Sequence, residues 1–77
     1  MAKSTAMTSF ITNLDRIRRD RGLTQTDLAE LLGTSQGNVS RLLGGGEDVT
    51  LTRCELIAKK LGVSLSEMIE SPILSKT

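Results

Sequence analysis

Residues 24–43 read TQTDLAELLGTSQGNVSRLL, two short amphipathic stretches separated by a single glycine-bearing break. Counting from Gln25, the fifth residue is Ala29, the ninth Gly33 and the fifteenth Val39. Two helices that cross steeply leave room for only a small side chain on the first of them, which suits Ala29. The turn between them needs a residue at ease with positive φ, which suits Gly33. Leu28, Leu32, Val39 and Leu42 are the apolar residues that lock the pair onto a common core.

Working outward, Thr24 is a good N-cap, and Asp27 three residues later makes a near capping box for a helix running to about Leu32. Ser35 or Thr34 caps the next helix, about Gln36 to Leu43, and Gly44-Gly45-Gly46 stops it. Upstream, Thr8 or Ser9 is the expected cap of a first helix that runs to about Arg21. Phe10, Ile11, Leu14 and Ile17 form its apolar stripe, and Gly22 ends it with Leu23 packed behind. Downstream, Thr50 caps a fourth helix with a stripe of Leu51, Cys54, Ile57, Ala58 and Leu61, terminated by Gly62. Ser64 and Glu67 form a Ser-x-x-Glu box for a short fifth helix, with Leu65, Met68 and Ile69 facing inward, closed by Ser71-Pro72. No strand alternation competes. The expected organisation is an all-α five-helix bundle over residues 8–71, a flexible leader over 1–7 and a tail over 72–77.

Seventy-seven residues make one domain with a modest core. The chain has no histidine, which excludes a His-ligated metal site and a Ser-His or Cys-His catalytic pair, so neither an enzyme nor a metal or cofactor is expected. The single cysteine, Cys54, cannot form an internal disulfide and falls on an apolar stripe, so it reads as a buried small hydrophobe in a cytoplasmic protein. Phe10 is the only aromatic, too few for stacking unpaired bases. No apolar run is long enough for a membrane span or a signal-peptide core. The formal charge is only +1, but residues 1–46 hold six Lys/Arg against four Asp/Glu, whereas residues 47–77 hold four against five. Arg16, Arg18, Arg19 and Arg21 crowd the end of the first helix. There they either complement the helix dipole or face phosphate.

Two short helices joined by one tight turn are a helix-turn-helix, a unit that presents its second helix to the DNA major groove. The segment from Leu23 to Ile69 resembles the Cro/phage-repressor family, the Xre-like or lambda-repressor-like domains. The resemblance is carried by Leu23-Thr24-Gln25, Leu28-Ala29, Gly33-Thr34-Ser35-Gln36, Val39-Ser40-Arg41-Leu42, Thr50-Leu51, and Ile57 through Leu65. It implies a five-helix lambda-repressor-like bundle whose third helix, residues 36–43, lies in the major groove. By position it makes Gln36 the leading base reader, able to bond adenine bidentately. It makes Gln25 the residue that contacts phosphate and braces that reader. Arg41 is placed to bond guanine or a phosphate, and Ser35, Asn38 and Ser40 to make polar contacts with phosphate or base edges.

Two positions depart from the family pattern. Gly37 stands where a second base-reading side chain is common, which marks either close backbone approach or an unread base. The loop after the third helix is often basic, whereas here Gly44-Gly45-Gly46 is followed by Glu47-Asp48. The resemblance implies a sequence-specific regulator of phage or prokaryotic origin, probing a double-stranded operator as a repressor or autoregulator. The competing reading is a protein-interaction module such as an antitoxin whose main partner is a protein. A homodimer is expected, because one such unit contacts few base pairs. Its candidate interface residues are Leu56, Met68, Ile69, Ile73 and Leu74, with ordinary surface positions and a monomer as the alternative.

Overall fold

The computed structural model describes residues 5–45 and 49–70, with the side chain of Thr5 left aside. Five helices follow in order: α1 (Thr5–Asp20), α2 (Gln25–Leu32), α3 (Gln36–Leu43), α4 (Leu51–Leu61) and α5 (Leu65–Ile69). No strand occurs among the described residues. Helix α1 packs on α5 and α3, α2 packs on α3 and α4, and α4 packs on α5. No helix among the described residues is long and apolar enough to cross a membrane.

Four of the five helices begin at a hydroxyl cap. Thr24, Ser35, Thr50 and Ser64 each hold extended backbone and accept a hydrogen bond from the N–H three residues on. In α2 the box is complete: Asp27 N–H donates to Thr24 Oγ1 at 3.0 Å, and Thr24 N–H donates to Asp27 Oδ2 at 3.0 Å. Ser64 and Glu67 close the same box at the start of α5. Apolar residues flank three of these caps at the spacing of a hydrophobic staple: Leu23 and Leu28, Val49 and Cys54, and Val63 and Met68. In each pair the second member is buried. Thr34 is therefore not the cap of α3; it precedes it.

The core gathers Phe10, Leu14, Leu28, Ala29, Val39, Leu42, Val49, Cys54, Ile57, Ala58, Leu61 and Met68, with Met7, Ile11, Ile17, Leu32 and Leu65 packed against it. Two expectations are corrected here. Helix α1 does not start at Thr8 or Ser9 but by Thr5, so Thr8 lies within it and Ser9 is buried in its second turn. Met7 explains this, because it extends the Phe10, Ile11, Leu14 and Ile17 stripe by one more turn. Residues 5–7 of the expected leader are therefore helical, and residues 1–4 lie outside the described residues. Second, Leu51 is not part of the α4 core stripe: it is 66% exposed. The staple residue Val49, before the cap, takes the buried place that periodicity assigned to Leu51. Cys54 is buried as expected, and its burial pushes the thiol pKa up, so it packs as a neutral apolar group.

Helix α5 has no glycine to receive its C-terminal carbonyls. Asn13 of α1, 1% exposed, does so instead. Its Nδ2 donates to the backbone oxygens of Met68 at 2.7 Å and Glu70 at 2.8 Å, with a longer contact to Glu67 at 3.3 Å. Its Oδ1 in turn accepts from Arg16 Nη2 at 3.0 Å. A side chain of α1 thus satisfies the orphan carbonyls at the end of α5.

Two outcomes follow from these contacts. Asn13→Ala leaves buried carbonyls unpaired and should lower stability by about 2–3 kcal/mol, a Tm drop of roughly 10 °C or more by circular dichroism. An unchanged Tm contradicts the structural role given to Asn13. For Asp27, the Thr24 backbone N–H and then the Thr24 hydroxyl hold the carboxyl below its usual pKa. A depressed folded-state pKa contributes stability that is present above the unfolded value and is lost as pH falls through the folded one. The Tm gap between wild type and Asp27→Asn should therefore be open at neutral pH and close below about pH 4. A gap independent of pH contradicts the capping role of the charged form.

Candidate nucleic-acid interface

Because Thr24 and Ser35 are the caps, Gln25 and Gln36 are the first residues of α2 and α3. The turn between the helices brings these two starting positions together. Gly33, at φ 73° and ψ 34°, ends α2 in left-handed geometry, and Thr34 N–H then donates to the Ala29 carbonyl at 2.9 Å. Across this turn Gln36 Nε2 donates to Gln25 Oε1 at 2.7 Å. The brace uses one of the two amide hydrogens of Gln36. Among the described residues its other N–H and its Oε1 have no partner, and neither does the Nε2 of Gln25.

Val39 and Leu42 are buried and fix which side of α3 faces the core. Gln36, Gly37, Ser40 and Arg41 are exposed, and at about 100° per residue they share an arc of roughly 140° on the opposite side. Ser35 is exposed beside them, and its hydroxyl accepts from Asn38 N–H at 3.2 Å. Asn38 is half-buried at the edge of the face. Its Nδ2 donates to Thr34 Oγ1 at 2.8 Å, and its Oδ1 accepts from Arg41 Nη2. Asn38 therefore links the turn to the Arg41 guanidinium. A Cβ built on Gly37 meets nothing within 4 Å, so no close approach among the described residues accounts for that glycine.

The arginine cluster at the end of α1 is occupied with structure. Arg18 bonds the Asp15 carboxylate and reaches the Leu23 carbonyl at 2.8 Å, tying α1 to the entry of α2. Arg19 pairs with Asp15 at 3.0 Å, Arg16 with Asn13 and Asp20, and Arg21 reaches the Leu61 carbonyl at the end of α4 at 2.8 Å. These tertiary ties carry no local sequence signal beyond charge. After α3, Gly44 and Gly45 are described, whereas Gly46, Glu47 and Asp48 lie outside the described residues.

The expected dimer residues that are described, Leu56, Met68 and Ile69, do not line one groove. Met68 is 0% exposed and belongs to the core, so it is not available to a partner. Its N4 position in the α5 staple is the reason. Leu56 is 53% exposed beside a groove lined by Asn38, Val39 and Leu42 of α3. Ile69 is 42% exposed at a different groove, which Met7, Phe10, Leu51 and Leu65 also line. Ile73 and Leu74 lie outside the described residues. Leu31 and Leu51 are exposed apolar residues that the sequence did not single out as such.

Comparison with known proteins agrees with this geometry. The helix-turn-helix family profile matches residues 14–68, from the middle of α1 to α5. No curated protein matches the chain in sequence. The crystal structure of a hypothetical transcription factor, NHTF, from Neisseria superposes with a TM-score of 0.82, covering 99% of this chain and 90% of that one at 20% identity. At that identity the likeness speaks for the fold. The profile match carries the assignment: the chain belongs to the lambda-repressor-like helix-turn-helix family of DNA-binding domains.

Proposed function

We propose that this chain is a sequence-specific regulator of transcription that binds a double-stranded operator with α3 in the major groove, as a repressor or autoregulator of phage or prokaryotic origin. The Gln25–Gln36 brace is the observation that carries this reading. It holds the Gln36 amide at the start of α3 with one N–H and Oε1 unengaged among the described residues, the two groups that bond N7 and N6 of adenine. The unbonded Nε2 of Gln25 is a phosphate donor on the flanking helix. Ser35 adds a hydroxyl at the same end. Ser40 and Arg41 continue the face one turn on, with Arg41 directed to guanine or a phosphate and Asn38 positioning it rather than reading DNA itself.

The protein acts by binding and needs no cofactor. It works in the cytoplasm, where a lone buried thiol stays reduced. Its operator is read by two copies, because one unit gives too few base contacts for selectivity against a genome. The surface we assign to that contact is the α1–α4–α5 side around Ile69 and Leu51, which lies away from α3. The Leu56 groove adjoins α3, and a second copy seated there would crowd the DNA face.

Selection of duplexes from a random pool, followed by titration, tests the proposal. One motif should be enriched, with two chains bound per site and half-sites about 34–36 Å apart. Affinity should fall by roughly two decades between low and physiological salt as counterions are released. Gln36→Ala should keep the wild-type melt and lose about 1–3 kcal/mol of discrimination at one base pair of each half-site. No enriched motif with little salt response overturns the regulator reading. A single chain per site overturns the dimer, and unchanged preference in Gln36→Ala overturns the placement of α3.

A further inference from the structure

The groove beside α3 carries chemistry that neither the fold nor the proposed duplex contact uses. Its floor is Val39 and Leu42 of α3 with Ile57 of α4, and its rim is Arg53, Leu56 and Lys60 of α4. The three rim residues follow at spacings of three and four, so they form one exposed row along the helix. Leu56 is 53% exposed, and among the described residues no carboxylate lines the groove. Neither Arg53 nor Lys60 forms an ion pair among the described residues. The groove holds about 190 Å³, below the roughly 300–1,000 Å³ of small-molecule pockets but enough for one or two side chains of a partner.

We propose that this groove docks an acidic amphipathic segment of another protein, and that the docked segment excludes duplex DNA. An apolar side chain of the segment rests on the floor and covers Leu56, while carboxylates on either side of it pair with Arg53 and Lys60. Other occupants fit less of this chemistry. A phosphate backbone meets the two cations but leaves Leu56 and the apolar floor uncovered. A second copy docked about a twofold axis brings Arg53 and Lys60 against their own counterparts. The groove at Ile69 and Leu51, by contrast, has no charged residue in its lining and suits self-association better. Exclusion of DNA follows from place and sign. Asn38 lines the groove and bonds Arg41 of the proposed reading face. A segment seated there stands beside Arg41, where its carboxylates repel the phosphates of a duplex held by α3.

The docking stands apart from the proposed DNA reading, whereas the exclusion rests on it, so docking is tested first and without DNA. Peptides are selected from a random displayed library against the full chain, then synthesised and titrated. Enriched peptides should carry a large apolar residue flanked by Asp or Glu, with the largest amide NMR shifts on residues 38–42 and 53–60. Reversing both cations, Arg53→Glu with Lys60→Glu, should weaken such a peptide about tenfold. Exchanging the peptide's acids for lysine should restore binding to that variant alone. Leu56→Ala, at an exposed site, should keep the wild-type melt and also weaken the peptide about tenfold. A selection that enriches no peptide or none with acids overturns the docking site. So does binding that either variant leaves unchanged, or shifts centred on the groove of Ile69 and Leu51. Should the double reversal weaken duplex binding and spare the peptide, the cations meet phosphate instead and the proposal falls. The peptide should finally displace the duplex enriched by the wild type. Peptide and duplex bound together overturn the exclusion. If the wild type enriches no duplex, the regulator reading and the exclusion fall together, while the peptide titrations still decide the docking.

Discussion

The meeting of α2 and α3 at Ala29 and Gly33 is the constraint on which the proposed DNA-binding surface depends. Ala29 is buried at 2% exposure in the same cluster as Val39 and Leu42, and its carbonyl receives the N–H of Thr34 just past the turn. A larger side chain at Ala29 would force the helices apart. A β-branched residue at Gly33 would be strained at φ 73°. These two residues fix where α3 starts relative to α2, and that start places Gln36 against Gln25. The brace is thus a consequence of backbone geometry rather than of the glutamines alone.

The rest of the chain holds this pair in place. Asn13 fastens α5 to α1 by accepting responsibility for the carbonyls of Met68 and Glu70. Arg18 fastens the end of α1 to Leu23 before α2, and Arg21 fastens it to Leu61 at the end of α4. Each tie pairs a side-chain donor with a backbone oxygen that would otherwise have no helical partner. The scaffold behind α2 and α3 is therefore cross-linked by polar contacts at helix ends as well as by its apolar core. In a chain of this size the core is small, and such contacts make up a large share of the margin.

What was legible in the sequence follows from how local each determinant is. The starts of α2, α3, α4 and α5 were readable because Thr24, Ser35, Thr50 and Ser64 act within three residues of themselves. The start of α1 is not legible, because Thr8 and Ser9 look like caps when Met7 is not counted in the stripe. Leu51 was misplaced because helical periodicity ignores the residue before the cap, where Val49 competes for the same apolar space. Asn13 gives no signal: the carbonyls it donates to lie more than fifty residues away, and nothing near it in sequence calls for a donor. The pairing of Gln25 with Gln36 came from resemblance to the family, whereas the groups it leaves unengaged emerged only from the geometry.

One face of α3 carries the proposed recognition. Gln36, Gly37, Ser40 and Arg41 look away from a core that Val39 and Leu42 anchor, and Gln25 stands beside them from the other helix. Recording amide and side-chain NMR shifts of the labelled chain while duplex DNA is added tests this most directly. The account predicts that the largest changes fall on the Gln25 and Gln36 side-chain amides and on the backbone of residues 35–41, with the α1–α5 contact around Asn13 unmoved. Changes centred on α1, α4 or α5 with α3 undisturbed would contradict it.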